Sequence, residues 1–149
     1  MTLKRSDFGD DFHWGVSTAA YQIEGAYRKH GKGLSIWDVF VQNADNNKDG
    51  SNANKSCGHY KLYKKDISLI KKLNIPNYRF SISWPRILPN GIGEINQKGI
   101  DFYNRLIDRC LDKNITPWIT LYHWDLPCKL EEKGGWINRD ILFWFSEYT

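Results

Sequence analysis

The stretch Asn77-Tyr78-Arg79-Phe80-Ser81-Ile82-Ser83-Trp84 decides how this chain is read. It is short, rich in aromatic residues and bracketed by Pro76 and Pro85, which is the pattern of a β-strand with hard stops at both ends. The segments on either side have a different period. Upstream, Tyr60, Tyr63, Ile67, Ile70 and Leu73 recur at helical spacing and predict a helix from about His59 to Asn74. Downstream, Asn96 is placed to cap a second helix with Ile100, Tyr103, Ile107, Cys110 and Leu111 on one face. Pro117 opens another strand, Trp118 to His123, which ends before Pro127. A third helix follows Asn138, with Ile141, Phe145 and Tyr148 facing inward. Working back toward the N-terminus, the apolar, small-residue run Phe12 to Ala20 predicts the first strand. The Asn- and Asp-rich segment Val41 to Ser56 reads as a loop.

Three strand–helix units in succession predict an α/β protein with a parallel sheet. The strands read as apolar on both sides, as buried parallel strands do. Polar and aromatic residues gather at their C-terminal ends, in Tyr21-Gln22, Ser83-Trp84 and His123-Trp124-Asp125. Parallel barrels and doubly wound sheets both build their sites at that edge. No glycine-rich phosphate loop follows any strand, which favours a barrel over a nucleotide-binding sheet. A closed (β/α)8 barrel takes ~250 residues, whereas this chain has 149. The expectation is therefore that residues 1–149 supply about the first three βα units of a TIM barrel. The third strand would then present an open edge.

Composition narrows the function classes. Hydrophobic residues make up 41% and charged residues 26%, a globular balance with no apolar run long enough to cross a membrane. The net charge of +4 is spread along the chain, and its densest stretch, Lys61 to Lys72, alternates with apolar residues as a solvated helix face does. Nothing clusters the charge for nucleic acid. The N-terminus has no apolar core behind its basic residues, and the three cysteines (Cys57, Cys110, Cys128) are odd in number. Free thiols in a cytoplasmic protein are expected. Seven Trp, eight Tyr and seven Phe suit a protein that stacks flat apolar faces, sugar rings included. Asp45 to Gly50 begins like a calcium loop, but Ser56 stands where the bidentate Glu is required, so no metal is expected.

Phe12-His13-Trp14-Gly15-Val16-Ser17-Thr18-Ala19-Ala20-Tyr21-Gln22-Ile23-Glu24-Gly25-Ala26 resembles the N-terminal signature of glycoside hydrolase family 1, the β-glucosidase family. The resemblance continues through Ser35-Ile36-Trp37-Asp38, Tyr78 to Arg86, Asn96 to Asp101, Thr120 to Pro127 and Gly134-Gly135-Trp136. It implies a (β/α)8 barrel that hydrolyses terminal β-D-glucosyl residues with retention, using no cofactor. Retention needs two carboxyl groups about 5–5.5 Å apart. In the family these lie in an Asn-Glu-Pro and a Glu-Asn-Gly motif, and neither occurs in these 149 residues. The resemblance thus implies no catalytic residue here and an isolated chain without activity. Residue by residue it carries over Gln22, His123 and Trp124 as contacts to the β-glycoside substrate. It also carries over Arg79, as the cation that keeps the nucleophile carboxylate ionised.

Each of these residues also has a plainer role available. Gln22 alone is a turn residue and His123 alone a structural histidine. Trp14, Trp37, Trp84, Trp118 and Trp136 read as packing or loop anchors, with Trp37 a lesser candidate for an outer sugar site. Glu24 is expected in a structural ion pair or hydrogen bond, Asp125 in a cap or loop role, and Glu131-Glu132 in solvent. Arg79, lacking its anion, would be a costly buried cation. The alternatives within the enzyme class are a β-galactosidase or a 6-phospho-β-glucosidase. Outside it stands a sugar-binding remnant without catalysis.

Overall fold

The computed structural model describes residues 3–43 and 45–149. Three short parallel strands, β1 (Gly15–Ser17), β2 (Asn77–Ser81) and β3 (Thr116–Thr120), form one sheet in the order β1-β2-β3. The crossover from β1 to β2 holds α1 (Ala20–Ile23), α2 (Ile36–Phe40) and the long α3 (His59–Lys72). The crossover from β2 to β3 holds α4 (Trp84–Ile87) and the long α5 (Gln97–Asp112). After β3 come α6 (Cys128–Glu131) and α7 (Ile141–Tyr148). This is the expected α/β topology of three βα units.

The core lies between the sheet and the pair α3/α5. Tyr78 and Phe80 of β2 meet Tyr60, Tyr63 and Ile67 of α3 and Phe102, Tyr103, Leu106 and Cys110 of α5. The stripe on α5 differs from the expected one. Tyr103 and Cys110 are buried, but Leu111 is 56% exposed and Phe102 and Leu106 take the central places. Gly99 explains the rotation. A Cβ there would come within 2.1 Å of the Arg86 carbonyl oxygen, so the helix packs backbone to backbone at Gly99, and the residues in line with it face the sheet. On α3 the stripe holds as far as Ile70, and Leu73, at the helix end, is exposed. The lysines from Lys61 to Lys72 are solvated as expected.

Other boundaries shift for local reasons. The run Phe12 to Ala20 contributes only Gly15–Ser17 to the sheet. Phe12 and Trp14 instead join Phe8 in a three-ring cluster with centroids 4.8–5.0 Å apart, and Ala20 already begins α1. β2 stops at Ser81 because the chain turns there, through Ser83 in the cap position, into α4. β3 begins at Thr116 and ends at Thr120, so His123 lies beyond it. Asn96 occupies the cap position of α5 but makes no side-chain cap. Its amide donates to the carbonyls of His30 and Arg86, at 2.9 Å each. The strands are not apolar on both sides. Only β2 is well buried, while Trp118 and Ile119 of β3 are 49% and 40% exposed. The segment 41–56 holds no helix or strand among its described residues. All three cysteines are free thiols.

Candidate functional site

The chain leaves β1 through Thr18, whose hydroxyl meets that of Tyr78 at 2.7 Å, and turns into α1 when the Ala20 N–H donates to Ser81 Oγ at 2.8 Å. This places Gln22 past the carboxyl end of β1. Its carbonyl accepts from the Ser56 hydroxyl, while its amide side chain is exposed and makes no hydrogen bond to a described residue. Arg79 lies in the middle of β2. Contrary to expectation it is exposed, because the sheet face it occupies is open; its Nε donates to Thr120 Oγ1 at 2.7 Å. On the same face Trp118 donates to Asn77 Oδ1 at 3.0 Å. His13, Gly15, Ser17, Asn77, Arg79 and Trp118 line a trough of about 300 Å³.

Past the carboxyl end of β3, the segment Tyr122–Asp125 forms an arm. It is held at its two ends. Tyr148 Oη donates to the Leu121 carbonyl at 2.6 Å, and the Ile36 N–H donates to the Leu126 carbonyl at 2.9 Å. Between those anchors the backbone from Tyr122 to Asp125 makes no hydrogen bond to a described residue. The His123 and Trp124 rings stack at 4.6 Å and 21°. Trp124 is 62% exposed and has φ +78°, a left-handed backbone that a bulky side chain rarely adopts and that costs of the order of 1–3 kcal/mol. Gln22, His123 and Trp124 thus all lie beyond the carboxyl edge, Gln22 in α1 after β1 and the other two in the arm after β3. No hydrogen bond joins Gln22 to the other two among the described residues.

Beneath that edge lies a buried ionic layer that local sequence pattern did not reveal. Arg86 of α4, 1% exposed, donates through Nε to Glu24 Oε2 at 2.9 Å, with Nη2 2.8 Å from the same oxygen in the ion pair. Tyr103 Oη donates to Glu24 Oε1 at 2.6 Å. The Arg86 guanidinium also lies 4.1 Å from the Tyr60 ring centroid. Glu24 therefore has the structural role expected of it, as ion-pair partner and hydrogen-bond acceptor at once. Burial and the neighbouring Glu24 carboxylate hold the Tyr103 phenol well above its ordinary range. A second pair sits close by. Asp38 Oδ2 accepts from Lys32 Nζ at 2.9 Å and from the Ser35 N–H and hydroxyl at 2.8 Å each.

Asp125 lies in the loop after β3, one of the two roles expected of it. It is 1% exposed, and neither carboxyl oxygen has a hydrogen-bond partner among the described residues; the Ser83 hydroxyl alongside has none there either. Burial pushes Asp125 up to about 7; Ser83 and Lys32 pull it down while Glu24 pushes it up. The tryptophans divide. Trp84 is fully buried with its N–H on the Gly91 carbonyl at 2.9 Å, and Trp136 anchors a loop by donating to Tyr122 Oη at 3.0 Å. Trp37 lies among Tyr21 and Phe40. Glu132 is solvated and pairs with Lys129.

The family model for "Glycosyl hydrolase family 1" matches residues 4–149 of the chain. The chain belongs to glycosyl hydrolase family 1. It is 57% identical over 142 residues to a 1,4-beta-D-glucan glucohydrolase of Thermotoga neapolitana, covering 95% of this chain and 33% of that protein. It is 56% identical over 149 residues to beta-glucosidase A of Thermotoga maritima, of which it covers 33%. The solved family 1 β-glucosidase from Thermotoga maritima superposes with a TM-score of 0.92 over 95% of this chain and 32% of that one. The chain thus spans about a third of the length of the family 1 relatives it matches. Its three βα units correspond to about a third of a family 1 TIM barrel. The Thermotoga maritima enzyme has been solved with glucoimidazole and with deoxynojirimycin bound.

Proposed function

We propose that this chain supplies the glycone side of a retaining β-glucosidase, one that releases terminal β-D-glucosyl residues from β-glycosides. The observation that carries the reading is the joint placement of Gln22, His123 and Trp124 past the carboxyl ends of β1 and β3, in a chain whose family is established. An amide offers one acceptor and two donors, so Gln22 can bridge adjacent sugar hydroxyls, and His123 adds a further directional partner. Trp124 presents an apolar face and an indole N–H. Arg79, on the open sheet face, is free to meet a carboxylate brought from another strand and to hold it ionised. The catalytic carboxyl pair is not among these 149 residues. Three free thiols support a reducing, cytoplasmic setting.

The test is turnover by the full-length protein of 4-nitrophenyl β-D-glucoside, the galactoside and the 6-phosphoglucoside. The glucoside should have the highest kcat/KM. Gln22→Ala and His123→Ala should each lower that value roughly 10–100-fold, the cost of leaving sugar hydroxyls unpaired in a closed site. Preference for the galactoside or the phosphorylated sugar would replace the glucosidase reading. Unchanged kinetics in both variants would remove these residues from the sugar site.

A further inference from the structure

The buried layer under the arm holds three carboxyl groups and two cations. Glu24 is matched by Arg86 and Asp38 by Lys32, each through contacts of 2.9 Å or less. Asp125 is the third carboxyl, and among the described residues no cation is left for it. The groups that face it from the surrounding elements offer none. Ser83 lies at the start of α4, Glu24 at the end of α1, Tyr148 on α7 and Tyr122 in the arm itself. Lys32 is bound to Asp38. These residues of the chain enclose Asp125 on their own, at 1% exposure. An unpaired carboxylate in such a place is far more costly than a neutral acid.

Asp125 is also the only well-buried side chain of the arm. Tyr122 and His123 are half-buried, Trp124 is exposed, and the arm backbone has no hydrogen bonds of its own. With Trp124 in a left-handed conformation, something must hold the segment against relaxation. We propose that Asp125 is a positioning residue: as a neutral carboxylic acid seated beside Ser83, it anchors the arm that presents His123 and Trp124. If the proton leaves, the carboxylate is drawn toward water and the arm loosens. The consequence for sugar binding rests on the reading of His123 and Trp124 above, but the anchoring itself does not. It is tested without substrate.

The full-length protein and its Asp125→Asn variant are compared from pH 4 to pH 8.5 by denaturant unfolding. The sign follows from a folded-state acid held above its unfolded value. The unfolded chain releases the proton near pH 4 while the folded chain keeps it until about 7, so wild type loses ground to Asn across that window and the difference levels off above it. The ratio of unfolding constants, wild type over Asn, should rise about tenfold per pH unit in the window. Amide exchange over residues 122–126 gives the positioning readout. Wild type and Asn variant should exchange alike at pH 5.5, wild type faster at pH 8, and Asp125→Ala faster than both at either pH. A wild-type-to-Asn ratio that stays constant with pH would show that no proton is held and would overturn the proposal. Equal exchange in wild type and Asn at both pH values would overturn the anchoring. Failure of Gln22 and His123 to affect turnover would leave both results standing and would count only against the sugar site.

Discussion

Gly25 leaves no room for a side chain. A Cβ there would lie 2.0 Å from the Lys55 carbonyl oxygen, and the residue has φ +61°. The turn that delivers Gln22 therefore depends on two backbones touching, and Gly25→Ala should cost the full-length protein at least ~2 kcal/mol in denaturant unfolding. Its neighbour Glu24 makes a second prediction of the same kind. Removing one partner of a buried ion pair strands the other charge, so Arg86→Ala should cost about 3–5 kcal/mol. Replacing both Glu24 and Arg86 should cost less than the sum of the single changes, because the coupled pair fails together. A double-mutant cycle checks this; full additivity would contradict the pairing. None of this could be read locally. Glu24 and Arg86 are 62 positions apart, and only the fold joins them.

At the scale of elements, the arm after β3 depends on α7. Tyr148 stacks on Trp84 at 4.7 Å and donates to the carbonyls of Leu121 and Ile82 at 2.6 and 3.2 Å. Tyr148→Phe keeps the stacking and removes the hydroxyl's bonds to the exposed Leu121 and part-buried Ile82 carbonyls, so it should cost about 0.5–1.5 kcal/mol and speed amide exchange near Leu121. An unchanged exchange rate would show that the arm is fixed elsewhere. The two long helices were legible in the sequence because their apolar period runs through three or more turns. The positions that failed, Leu73 and Leu111, lie where each helix ends. α2 and α6 left no periodic signal. At five and four residues they are too short to stand alone, and they are fixed by tertiary contacts such as the Ile36 and Cys128 N–H bonds to the Leu126 and Leu34 carbonyls. The strand ends were misplaced where another structure intervened: the aromatic cluster before β1, and the turn into α4 after β2.

Across the whole molecule, burial grades the thiols. Burial pushes Cys110 up to about 11 and raises Cys128, whereas Cys57 is exposed. Alkylation at pH 7.5 should therefore modify Cys57 first, Cys128 next and Cys110 only on unfolding; early loss of Cys110 would mean the α5 core is open. The residues proposed for the sugar site were legible only through the family's collinear motifs, since Gln22 is an exposed amide and His123 a half-buried ring. The most direct measurement is a crystal structure of the full-length protein with deoxynojirimycin bound. It should place Gln22 and His123 within hydrogen-bond reach of the sugar hydroxyls and Trp124 against the ring, with two carboxyl groups about 5–5.5 Å apart flanking the anomeric position. A sugar analogue bound with these three side chains turned away from it would contradict the account.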